Sequence, residues 1–423
     1  MNKFRYGVAA IAAAALVAAG CGGNDSKSTA KDPADSTSTM THSSMSASTS
    51  GSGKGGVDTA ASSLRSTLTA GLQEHVYLAG IAVDTGVNKG LDSPEFKAAA
   101  GTLDKNSVAL SQAIEGVYGA EAGATFLKVW RQHIGFFVDY TKARATKNAA
   151  GVKKANADLD GYRATFGAFL AKANPNLTAD AVANDLKGHV ATLEAAIDAV
   201  VAKKANAFDL LQAAAAHMPG TADVLAGAIS KQYPKKFPGN STSAASVLRA
   251  NMTAGLQEHT YLAGIAVAQG VGHGLDSAQF KAAAGTLDKN TVALSKAIGS
   301  IYGASAEQTF LKVWRQHIGF FVDYTKARAT KDAAGVKKAN ADLDGYRATF
   351  GAFLAKANPN LTQEAVANDL KGHVATLEAA IDAVVAKKAN AFDLLAAAAA
   401  HMPGTADVLS GAIQKQYPDK FPA

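Results

Sequence analysis

Eight of the ten histidines in this chain form two sets of four, related by a constant shift of 184 residues. The first set is His75, His133, His189 and His217; the second is His259, His317, His373 and His401. Each sits among apolar residues spaced three and four apart, which puts it on the inward stripe of a helix. A neutral imidazole in such a place needs a hydrogen-bond partner on each ring nitrogen, or a metal on one of them. Four imidazoles from four helices could converge on a Zn, Cu or Fe ion, or two could grip a b-type haem from opposite sides. Asp185 stands one turn before His189, and Asp369 one turn before His373. Either carboxylate could orient its neighbouring ring from behind the ligand shell. Glu74, next to His75 in sequence, points about 100° away on a helical wheel and is expected in solvent. Protons should compete with metal as pH falls through the histidine range. The opposing reading is that these are satisfied core histidines. His217 in particular precedes a helix break, where the dipole would favour an imidazolium without any ion.

Helices must position these rings. The chain is rich in Ala, Leu and Lys, and nothing in it alternates apolar with polar as a strand would. Gly and Pro clusters divide the first copy into six helices, near 58–86, 93–117, 120–146, 148–173, 178–203 and 205–231. Leu64, Leu68, Leu72, Ala79 and Ala82 share a face with His75; Phe126, Trp130, Phe137 and Tyr140 share one with His133. Val182, Leu186, Leu193, Ile197 and Val200 flank His189, and Leu210, Ala214 and Val224 flank His217. The aromatic run through Trp130, Phe136, Phe137 and Tyr140 is most simply core. Met218-Pro219-Gly220 should kink or split the sixth helix, with Thr221 capping the segment beyond the break.

The whole segment from Ala61 to Pro238 recurs from Ala245 to Pro422 without a gap. The expected fold is all-α: two tandem, near-identical helical bundles of about six helices around a four-helix core. The expected division is a leader at 1–20, a tether at 21–56, repeats at 57–238 and 245–423, and a linker at 239–244. From Phe126 onward the copies are almost the same, so recurrence of His133, His189 and His217 carries little weight. Earlier they differ: Val76 becomes Thr260, Asp84 becomes Ala268 and Lys89 becomes His273, while Gly71 to His75 is unchanged as Gly255 to His259. His75 gains weight from that contrast, and unmatched His273 reads as solvated.

The first residues combine basic Lys3 and Arg5, an apolar run from Val8 to Ala19, and Leu16-Val17-Ala18-Ala19-Gly20-Cys21. This resembles a bacterial lipoprotein leader. The resemblance implies lipidation of Cys21 (a palmitate-type acyl group), which would become the mature N-terminus on the outer face of a cytoplasmic or outer membrane. Cys21 is the only cysteine, so no intramolecular disulfide or thiolate cluster can form. Residues 22–56 are Ser-, Thr- and Gly-rich with few large apolar side chains, as in a flexible tether. Met40, His42 and Met45 within it could meet Cu(I), though such linkers gather these residues by chance. The net charge is +7, of which Lys3 and Arg5 belong to the leader. That mild excess suits anionic envelope polymers better than nucleic acid, for which no aromatic-interleaved basic stripe exists.

Known catalytic motifs are absent. There is no Glu-x-x-His, Cys-x-x-Cys-His, His-Glu-x-x-His or Gly-x-Ser-x-Gly. An exported chain of two helical bundles resembles imelysin-type iron-uptake proteins in layout. That family's Gly-x-His-x-x-Glu motif is missing, because Gly188-His189 and Glu194 have the wrong spacing. The expectation is therefore a non-enzymatic, membrane-anchored protein that stores, buffers or delivers a metal, with a metal-transport protein as a partner. The other expectation is a structural or interaction module at the cell surface without metal.

Overall fold

The computed structural model describes residues 56–423, and these contain thirteen helices and no strand. Cys21, the leader, and Met40, His42 and Met45 lie outside the described residues. The first repeat comprises α1 (Ala60–Lys89), α2 (Pro94–Tyr118), α3 (Ala120–Ala145), α4 (Ala149–Ala173), α5 (Ala179–Val201), α6 (Ala207–Ala215) and α7 (Met218–Gln232). The second comprises α8 (Ala244–His273), α9 (Ala278–Tyr302), α10 (Ala304–Thr330), α11 (Ala333–Ala357), α12 (Gln363–Val385) and α13 (Ala391–Gln416). No described helix is long and apolar enough to cross a membrane.

Local chemistry sets the starts and stops. Thr59, Ser93, Asn148 and Thr178 each accept a backbone N–H three residues on, capping α1, α2, α4 and α5. Gly90 and Gly119, both at positive φ, close α1 and α2. In the first repeat the expected split falls between α6 and α7, with Pro219 in the first turn of the new helix. Thr221 is not its cap: the cap position is His217, which makes no side-chain capping bond, and the Thr221 hydroxyl donates to Asp185 at 3.1 Å. In the second repeat the same residues run on as one helix, α13, with Pro403 inside it. Val224, expected on the buried stripe, is instead an exposed hydrophobic side chain.

The two repeats pack on each other through their first helices, α1 and α8, under an approximate two-fold relation. Tyr77 and Tyr261 stack at 5.3 Å with planes 13° apart, both fully buried. The Arg65 guanidinium donates to the Ser241 carbonyl at 2.7 Å, and Arg249, its counterpart, donates to the Val57 carbonyl at 2.6 Å. Lys105 pairs with Asp393 and Lys289 with Asp209, each at 2.7 Å, at the two ends of the interface. One apolar cluster therefore runs from Leu64 and Phe126 through to Leu262 and Leu395.

Candidate metal centre

Three of the four histidines of each repeat meet. In the first, α1, α3 and α5 bring His75, His133 and His189 together, with one ring nitrogen from each within 4.8 Å of the others. In the second, His259, His317 and His373 do the same from α8, α10 and α12. The Nε2 atoms of His75 and His133 are 3.3 Å apart, as are those of His259 and His317. Two imidazoles bound to one tetrahedral ion at about 2.0 Å would stand about 3.3 Å apart. Opposite axial ligands of a haem would need a wider gap with a macrocycle between them. The 3.3 Å contact leaves no slot for one, so the b-type haem expectation does not fit these rings.

The rings are buried and held in the neutral state. Burial pushes His75 and His189 down to about 3, with further lowering of His75 by His189 and of His189 by His217. His259 falls to about 3 and His373 to about 4, again mainly through burial. His133 and His317 are pushed well below the ordinary histidine value by burial and by their two neighbouring rings. The expected competition from protons therefore does not fall in the ordinary histidine range. Burial moves it several pH units lower.

The surrounding wall is aromatic. Trp130 packs edge-on to His133 at 4.4 Å between ring centres and lies 4.7 Å from His75. Tyr162, on α4, stacks on His133 at 4.8 Å, and Tyr346 stacks on His317 at the same distance. Sequence periodicity marks Trp130 only as core and assigns Tyr162 no role. The spacing of Leu159, Tyr162 and Phe166 is the one local sign that Tyr162 faces inward.

Polar atoms around the triads are left without partners. Nδ1 of His75, His133, His189, His317 and His373 makes no hydrogen bond, nor do the hydroxyls of Tyr162 and Tyr346. Among the six triad rings only His259 has a partner on that side: the Trp314 indole donates to its Nδ1 at 3.3 Å. Trp314, His259 and His317 thus form a short chain in which His259 would carry its proton on Nε2.

The fourth histidine behaves differently. His217 Nε2 pairs with Asp185 Oδ1 at 2.8 Å, and His401 with Asp369 at 3.2 Å. Hydrogen bonding to the carboxylate raises both imidazoles above the ordinary value, against the cost of burial. Asp185 and Asp369 therefore hold His217 and His401 and do not orient His189 and His373. His217 and His401 are half-buried neighbours of the triads and stand outside the groups whose ligand atoms converge. A Cβ on Gly188 would sit 3.3 Å from the His217 ring, so glycine there permits the close approach. Glu74 is a further correction. It is partly buried on α1 and accepts from Asn106 at 3.3 Å, and burial raises its carboxyl.

No family model, curated protein or solved structure matches this chain. The site stands on its geometry.

The two triads differ in their access. A cavity of about 120 Å³ reaches His75 between α1, α2 and α3, with Asp104 and Arg131 among its lining residues. In the second repeat a cavity of about 590 Å³ reaches His259 and His373. Each triad supplies three neutral nitrogen donors that could hold a transition-metal ion, with a fourth position left to a small ligand.

Proposed function

We propose that each repeat binds one copper ion, as Cu(I), through its three buried imidazoles, and that the chain stores, buffers or delivers that metal outside the cytoplasm. The observation that carries this is the convergence of three buried imidazole nitrogens within 4.8 Å against an aromatic wall. All three donors are uncharged, and the nearby carboxylates are engaged with His217 and His401. The cost of placing an ion in an apolar interior rises with the square of its charge, so a monovalent ion suits this set better than Zn²⁺ or Fe²⁺. Imidazole is a competent copper ligand, and three leave room for handing the ion on. When bound, the metal supplies a Lewis-acidic, exchangeable centre.

Two features of the leader support placing the protein on a membrane: the small residues before Cys21 and the polar stretch after it. In this reading Cys21 is acylated, and residues 22–56 carry the repeats away from the bilayer on the extracytoplasmic side. Its contacts there are anionic envelope polymers and a metal-transport partner.

The chain's two tryptophans, Trp130 and Trp314, each touch one triad, so fluorescence reports loading directly. Untagged protein loaded with Cu(I), and in parallel with Zn(II), is expected to retain two copper ions per chain after dialysis and to lose tryptophan emission. His133→Leu should remove one equivalent and leave the second repeat loaded. Less than a tenth of an equivalent per triad with both metals would sink the reading. One observation favours the metal-free, structural alternative: the Trp314–His259–His317 chain satisfies part of the second triad without an ion. Under that alternative His133→Leu changes stability alone.

A further inference from the structure

We propose that the second repeat binds the long aliphatic chain of a lipid, taken up between α8 and α9 and running along the bundle to the histidine triad. The cavity of about 590 Å³ lies within the size range of sites for organic ligands. Its walls are apolar, among them Leu256, Ile298, Phe310, Leu370, Met402 and Ile413. The polar lining groups are of two kinds: exposed Thr242, Asn251 and Ser300 on the solvent side, and half-buried or buried Tyr302, Asp369, Thr405, His259 and His373. Helix α8 lines the space from Ala244 to His259, about 22 Å at 1.5 Å per residue. One leaflet of a bilayer holds about 15 Å of hydrocarbon, so a full acyl chain fits lengthwise.

The first repeat shows that this residue set can also close. There Leu110 is 1% exposed, Ala113 2% and Ile114 0%, and they belong to a packed core. Their counterparts Leu294 and Ile298 are partly exposed, and Ala297 is exposed at the rim. Leu68 at the closed site is replaced by Met252 at the open one, a side chain that adapts to variable contents. An empty apolar cavity of this size is destabilising, and its walls offer water too few partners. An aliphatic chain supplies the missing contacts.

The charge arrangement selects the class of ligand. No Lys or Arg lines the cavity, so a group carrying carboxylates along its length, such as a porphyrin, finds no counter-charge inside. A cation does stand at the rim, where the Lys420 ammonium donates to the Ser300 carbonyl at 2.5 Å. An acyl chain with its acidic head at the rim satisfies both conditions. The chain could come from a free fatty acid or an acidic membrane lipid; an acyl group on Cys21 of the same polypeptide has no acidic head and would use the apolar walls alone.

The test uses the full chain with metal removed by chelator, so its outcome is independent of the copper reading. Spin-labelled stearic acid is titrated in and displaced with palmitate. One immobilised probe per chain is expected in the unlipidated Cys21→Ala chain, with affinity reduced at least about tenfold when Ala297→Trp is added, which fills the mouth from α9. Asn251→Trp, on the exposed face of α8, serves as the second blocking variant should the first fold poorly. Absence of immobilised probe from the unlipidated Cys21→Ala chain, two equivalent sites per chain, or binding unchanged by both blocking variants would overturn the proposal. Comparing lipidated chain with Cys21→Ala separates the sources. Uptake by Cys21→Ala alone assigns the occupant to the chain's own acyl group, and equal uptake assigns it to an external lipid.

Discussion

Burying three imidazoles side by side makes each of them reluctant to take a proton, and that reluctance has a measurable sign. In the unfolded chain a histidine binds its proton near pH 6.5, while in the folded chain His75 and His189 do so only near 3. Between those values the unfolded state holds more protons, so stability rises with pH across the window and is lost as pH falls. Each such group contributes a slope of about 1.4 kcal/mol per pH unit. Urea unfolding of the metal-free protein at pH 7, 5.5 and 4.5 should show this decline, and His75→Leu should flatten it by one group's share. His217 runs the other way. Its folded value is raised by Asp185, so its contribution is present in acid and fades as pH climbs through that value. An unfolding free energy that does not change from pH 7 to 4.5 would contradict this account. The residue types of the site are readable from sequence as inward-facing histidines. Which three converge is not, because a helical wheel gives direction around an axis and no height along it.

The crossing of the second and third helices of each repeat shows how elements carry constraints past single positions. In the first repeat Glu115 on α2 faces Gly123 on α3, and a Cβ on Gly123 would lie 2.8 Å from the Glu115 Cβ. In the second repeat the pair is exchanged: Gly299 faces Glu307, and a Cβ on Gly299 would lie 2.9 Å from the Glu307 Cβ. One glutamate and one glycine are accommodated at each crossing, on either helix. Gly123→Glu alone should therefore destabilise the protein by about 1–3 kcal/mol, as overpacking does. Adding Glu115→Gly should recover most of that loss in a thermal melt. Failure of the second change to rescue the first would show that the crossing is looser than described. A similar close approach places Gly188 beneath His217, and Gly188→Ala should shift the His217–Asp185 pair with little change to α5 itself. The helices and most of their ends are legible from caps and glycines. The different fates of Met218-Pro219-Gly220 and Met402-Pro403-Gly404 are not, since the local sequence is the same and only its surroundings differ.

At the scale of the molecule the repeats share a core, and this governs how they unfold. The Tyr77 hydroxyl donates to Glu258 at 3.0 Å, and the same carboxylate accepts from Gln212 at 2.7 Å and Asn290 at 3.0 Å. One carboxylate thus ties α1, α6 and α9 to α8. Tyr77→Ala would remove a fully buried ring from the stack with Tyr261 and leave that network short of a donor. A loss of about 3–5 kcal/mol is expected, in line with other buried aromatic truncations. Calorimetry should still show one transition for the intact chain, because the apolar cluster spans both repeats. Two separated transitions in the unmodified protein would mean that the interface contributes little. The helical class, the duplication and the inward histidines are all written in the sequence, since each rests on local periodicity or on direct likeness between the copies. Packing alone brings three imidazoles together while the fourth pairs with a carboxylate, and it assigns Tyr77 and Glu258 to an interface. Packing also leaves a cavity of about 120 Å³ in one repeat and one of about 590 Å³ in the other. Those outcomes depend on heights along helices and on which faces meet across the two-fold relation, quantities set between segments far apart in the chain.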